Sequence, residues 1–133
     1  NEAFGLWQNH KKYFAVIMLD LDNFKQINDA LGHSAGDAVL RQFATVIKGQ
    51  LGKEQFFGRW GGDEFILLGL GMDDQRAAET IDSLKTAVGD TCFPGLSELR
   101  VSAGAAVVNA EDIHVDSVIS RADMAMRRDK TRR

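Results

Sequence analysis

The run FAVIMLD, Phe14 to Asp20, places the tightest limit on how this chain can fold. It is short, unbroken in its apolar character, partly β-branched, and stopped by an acid. A strand of that kind is covered on both faces and so belongs inside a sheet, not at its edge. From Asn23 the chain turns helical, and two helices are expected before the next strand. The segment GDAVLRQFATVIKG places Val39, Phe43, Val46 and Ile47 on one stripe, with Gly49 as the stop. Two strands follow, around Gln55–Trp60 and Glu64–Leu70, with Gly61-Gly62 between them as a hairpin link. Ala77, Ile81, Leu84 and Val88 mark a helix begun at Asp73-Asp74. LRVSAGAAVV alternates as a fourth strand, with Val101, Ala103, Ala105 and Val107 on one side. Val115, Val118, Ile119, Ala122, Ala125 and Met126 stripe a last helix, whose methionines read as core filler.

This order predicts an α+β fold: a ferredoxin-like βααββαβ core, its helices packed on one face of an antiparallel sheet, with an additional C-terminal helix. A right-handed crossover makes the first two strands parallel, with the third running back between them. The end of the first strand then shares an edge with the turn between the second and third. Asp20 is thereby expected beside Asp63 and Glu64.

The 133 residues suit one domain, and the 44% apolar and 26% charged composition is that of a globular chain. A net charge of −3 gives no sign of a nucleic-acid surface, although basic residues bunch at Arg127–Arg133. No apolar run reaches the length of a membrane span, so no membrane contact is expected. The one cysteine, Cys92, allows no internal disulfide, which is compatible with a cytoplasmic location.

Adjacent acids at a hairpin tip repel one another unless water or a cation relieves them. A solvated tip is one reading. The other is a hard-oxygen site for Mg²⁺ or Mn²⁺, made from Asp20, Asp63 and Glu64. The stretch DLDNFKQINDALGHSAGD, Asp20 to Asp37, adds Asp22 on the same side of the strand end and Lys25 as a point charge suited to phosphate. It also holds Asn28, His33 and Asp37. A carboxylate with an amide can read a guanine edge. Asn28 and Asp37 also suit helix caps, and His33 suits a turn.

RWGGDEF (Arg59–Phe65) together with DLDNFKQINDALGHSAGD resembles the GGDEF family of diguanylate cyclases, and the likeness runs from about Phe14 onward. VSAG (Val101–Gly104) and RADMAMRRDK (Arg121–Lys130) resemble the family's later motifs. The resemblance implies a fold related to nucleotidyl cyclase and polymerase palm domains. It implies an enzyme that joins two GTP molecules into cyclic di-GMP with loss of two pyrophosphates, each 3′-hydroxyl attacking the other's α-phosphate across a homodimer of domains. It also implies two Mg²⁺ or Mn²⁺ ions per half-site, held by Asp20, the Leu21 carbonyl, Asp63 and Glu64. Asp63 is then the candidate for deprotonating the hydroxyl. Lys25 and Lys130 would meet phosphates, with the backbone of Asn23 and Phe24. Asn28 and Asp37 would read guanine with His33 nearby, and Gly61 and Gly62 would leave room for the nucleotide.

The chain also departs from the family pattern. Gly52 and Gln55 stand where an Arg-x-x-Asp product site is usual, so weak product inhibition is expected. NEAF (Asn1–Phe4) resembles the family segment next to an Asp-x-Leu-Thr entry that is missing here, and Met126-Arg127 replaces a common Leu-Tyr. The expectation is a single domain excised from a larger cytoplasm-facing protein with an N-terminal sensor or regulatory domain. Two other readings are a silent module that binds GTP or cyclic di-GMP, and a cyclase that also accepts ATP, against which Asp37 argues.

Overall fold

The structure is a computed structural model that describes residues 13–109, 112 and 114–131. NEAF and the last two arginines lie outside them. Four strands, β1 (Phe14–Leu21), β2 (Gln55–Gly61), β3 (Glu64–Leu70) and β4 (Val101–Val107), form one antiparallel sheet in the order β2-β3-β1-β4. Helices α1 (Phe24–Leu31) and α2 (His33–Lys48) link β1 to β2, α3 (Asp74–Gly89) links β3 to β4, and α4 (Val115–Thr131) ends the described chain. This is the ferredoxin-like order, with β1 and β2 parallel and β3 between them.

Every residue of β1 is buried, as its unbroken apolar run requires. Ala15, Ile17, Leu19 and Leu21 join the larger core, which contains Val39, Leu40, Phe43 and Ile47 of α2 and Ala77, Leu84 and Val88 of α3. Phe14, Val16 and Met18 point the other way, onto Val118, Ala122 and Met126 of α4. The helices therefore flank both faces. The core helices share one face, as expected, and the alternate residues of β1, equally apolar, need a cover of their own on the other. α4 supplies that cover. Of its methionines only Met126 is core, and Met124 is 54% exposed.

The hairpin also differs from its sequence reading. β2 continues through Gly61, which pairs with Glu64 after an irregularity between Arg59 and Gly61. The two-residue turn is Gly62-Asp63, and Gly62 takes a φ of +50°, a region L-residues seldom enter. The bulge advances the turn by one residue and leaves Asp63 in it. None of the described helices is long and apolar enough to cross a membrane.

Candidate active site at the end of the first strand

The register carries Asp20 to one edge of the sheet, opposite Glu64 on β3 and Ser102 on β4. The Leu21 N–H donates to the Asp63 carbonyl at 3.2 Å, tying the strand end to the hairpin turn. Acids from two distant stretches of chain thus share one corner. Asp20 is 7% exposed, and its Oδ1 is buried with no hydrogen-bond partner. Its Oδ2 accepts from Lys130 Nζ at 2.7 Å. Burial pushes the Asp20 carboxyl up to about 6, with Asp63 adding to the rise and Lys130 opposing it. Lys130 is itself raised, chiefly by its hydrogen bond to Asp20.

The backbone beyond Asp20 bends sharply. The Asp22 N–H donates to the Arg100 carbonyl at 2.9 Å, and Ser102 Oγ donates to Asp22 Oδ1 at 2.7 Å. Asn23 then takes φ +60° and caps α1 without a side-chain bond. The first free N–H groups of α1, at Phe24 and Lys25, therefore open directly after the acidic corner. A helix N-terminus of this kind favours an anion.

Lys25 and His33 are exposed on the first turns of α1 and α2. Asn28 and Asp37 sit inside α1 and α2, so neither is a helix cap, and Gly32 provides the bend between the two helices. Asn28 is half-buried, and its Oδ1 has no partner. A Cβ placed on Gly36 would lie 1.7 Å from that oxygen, so only a glycine there lets the amide occupy its position. Asp37 follows Gly36 directly. The structure thus brings Asn28 beside Asp37's turn, and Asp20 beside Asp63, Glu64 and Lys130.

The donor set suits a hard divalent cation: Asp20 Oδ1 is a buried carboxylate oxygen left without a donor, next to Asp63 and across the strand from Glu64. Among the described residues, no three His, Cys, Asp or Glu side chains come together in a group that could hold a metal ion by themselves. Mg²⁺ seldom uses such groups, since it is usually held by one or two carboxylates together with phosphate and water.

Gly52 and Gln55 bond to each other, the Gly52 N–H donating to Gln55 Oε1 at 2.8 Å. They line an open pocket of ≈ 360 Å³ with Arg76 and Glu79. Sequence reasoning missed Ser102, Gly36 and Arg127. A serine in an apolar strand was the available signal for the first. Arg127 pairs with Asp123 at 2.9 Å, which raises its pKa, and the fields of Glu64 and Asp20 also reach it.

The profile described as "Diguanylate cyclase, GGDEF domain" matches residues 2–133. The chain belongs to that family. Diguanylate cyclase TpbB of Pseudomonas aeruginosa is 46% identical over 76 residues, 54% of this chain and 18% of that protein. The probable diguanylate cyclase DgcE of Escherichia coli is 34% identical over 119 residues, 87% of this chain and 11% of that protein. The chain thus spans less than a fifth of either relative. The active GGEEF domain of a diguanylate cyclase from Vibrio cholerae superposes with a TM-score of 0.91 at 26% identity, covering 98% of this chain and 85% of that one.

Proposed function

We propose that this domain is an active diguanylate cyclase, condensing two GTP into cyclic di-GMP and two pyrophosphates across a pair of domains in the cytoplasm. The observation that carries the reading is Asp20: a buried carboxylate with one oxygen lacking a donor, set beside Asp63 and Glu64 and just before the free amides of α1. The family's cyclase relatives and the intact GGDEF signature support turnover over silent binding.

Asp20, the Leu21 carbonyl, Asp63 and Glu64 would hold two Mg²⁺ or Mn²⁺ ions. Once bound, these ions would neutralise charge on the triphosphate and at the α-phosphorus. The chain's own groups do the rest. Lys25 and the N–H groups of Asn23 and Phe24 bind phosphate oxygens, and Lys130, with Asp20 held by a cation instead, would be free to meet them as well. Asn28 and Asp37 read the guanine edge with His33 nearby, and Gly61 and Gly62 let the nucleotide approach the hairpin. The Asp63 carboxylate accepts the proton of the 3′-hydroxyl. Catalysis of this type comes mainly from placement and charge neutralisation.

The test is incubation of the domain, alone and fused to a dimeriser, with GTP and Mg²⁺, with nucleotides resolved by chromatography. Cyclic di-GMP from the parent, and none from Asp63→Ala or Glu64→Ala, supports the proposal. GTP binding without turnover in the dimerised form would replace it with a silent regulatory module.

A further inference from the structure

We infer that Asp129 is the positioning residue for Lys130: it fastens the last turn of α4 to the edge of the sheet and thereby sets where the Lys130 ammonium lands. The inference rests on reading the Asp20 corner as a triphosphate site, since that is what gives Lys130's position its value.

Among the described residues β4 pairs with β1 alone, so alternate N–H groups along it face away from the sheet. The Ala103 N–H is one of these, and it donates to Asp129 Oδ2 at 2.9 Å. The same oxygen accepts from Lys85 Nζ at 2.6 Å. Lys85 belongs to α3, which packs on the opposite face from α4, so its ammonium reaches around the edge strand. One carboxylate oxygen therefore joins α3, β4 and α4. The side chains of Lys85 and Asp129 are 30% and 21% exposed, and partial desolvation strengthens the pair over a surface one.

The anchor falls where α4 most needs it. A Cβ on Gly104 would lie 2.0 Å from Met126 N, so helix and strand backbones already touch one turn earlier. Asp129 extends that contact into the last turn, where helices otherwise fray. Lys130 comes next, and its side chain is 47% exposed on a flexible four-carbon stem. An ammonium on such a stem reaches a buried carboxylate reliably only when its Cα is held still. Lys85 has a second effect: by neutralising Asp129 it keeps that acid from competing with Asp20 for Lys130, and from repelling a triphosphate.

The test uses the whole chain as parent, Asp129→Ala, Asp129→Asn, Lys130→Ala and the double variant Asp129→Ala/Lys130→Ala. The first readout needs no nucleotide: amide hydrogen exchange at Ala103 and across residues 127–131. Exchange should quicken in Asp129→Ala and stay near the parent in Asp129→Asn, whose amide oxygen still accepts from Ala103. The second is Mg²⁺-dependent affinity for a GTP analogue carrying a methylene between the α- and β-phosphorus. Asp129→Ala should weaken binding about tenfold, and Asp129→Asn by no more than about threefold. In the Lys130→Ala background Asp129→Ala should add less than about twofold, the signature of a residue acting through another. Unchanged exchange in Asp129→Ala overturns the anchor. Equal loss of affinity with and without Lys130 overturns the positioning role. A parent that binds no analogue overturns the triphosphate reading and the positioning role with it, while its exchange data still report the anchor separately.

Discussion

Two buried aspartates lie near opposite ends of α4, each paired with a cation from that helix, and their ionisation is shifted in opposite directions. Asp112 is 5% exposed. Burial would raise its pKa, but both its oxygens accept from Arg121 and one also accepts the Asn109 N–H, so the carboxyl falls below the usual range. Arg121 also donates to the Val107 carbonyl at 2.6 Å, locking the second turn of α4 to the end of β4. For Asp20 burial prevails: one ammonium opposes it, a second acid adds to it, and the carboxyl rises. The lesson lies in the donors. A forked guanidinium plus a backbone amide satisfies a carboxylate fully, whereas a single ammonium leaves an oxygen for something else to bind. Asp112 holds the fold together, and Asp20 is held ready by it.

The sharpest test of that division is to remove acids at each end. At the Asp20 corner, Asp63→Ala or Glu64→Ala should lower cyclic di-GMP formation by about 10³-fold or more, with no loss of thermal stability, as read by chromatography and calorimetry. At the other end, Asp112→Ala should destabilise the domain by about 2–3 kcal/mol in urea unfolding, because it strands Arg121. That figure is below the usual one for a fully buried pair because the Arg121 side chain is 38% exposed. A stable Asp112→Ala, or an unstable Asp63→Ala, would erase the contrast.

A smaller effect is expected at the Asn28 amide. Gly36→Ala must displace Asn28, and GTP affinity measured by calorimetry should fall about tenfold.

The pH dependence should be smaller still, and of opposite sign at the two ends. Asp20 holds its proton more tightly folded than unfolded, so its stability contribution is full below about 3.8 and lost as pH rises through about 6. Without divalent ions, Asp20→Asn should therefore gain a few degrees (about 3 °C) over the parent between pH 4 and 7. Asp112 contributes above its ordinary pKa and loses that contribution as pH falls through its depressed value. The deficit of Asp112→Asn should accordingly shrink in acid. Melting curves across pH check both slopes.

The smallest expected effect is none at all. Cyclic di-GMP added at micromolar levels should leave the initial rate unchanged, since Gly52 and Gln55 offer no arginine–aspartate pair. Submicromolar inhibition would contradict this.

The meeting of Asp20 with Glu64 was readable in the sequence because strand polarity and crossover handedness are nearly invariant rules, and both residues sit at strand ends. The turn was misplaced by one residue because a bulge leaves no mark in a hydrophobic pattern. The face chosen by α4 was not readable either, since its stripe of Val118, Ala122 and Met126 would suit either side of the sheet. Lys130 was expected near phosphate from resemblance alone, and its bond to Asp20 depends on how α4 is docked. The Asp112 lock left no sequence signal, because an acid in a loop and an arginine on a helix look like ordinary surface residues.

The bond between Asp20 and Lys130 spans 110 positions of the chain. A ribosome must release almost the entire domain before the two can meet, so a nascent or interrupted polypeptide has the hairpin and its acids but not the complete pocket. Signalling chemistry of the kind proposed here would therefore switch on only after the whole domain has emerged and folded.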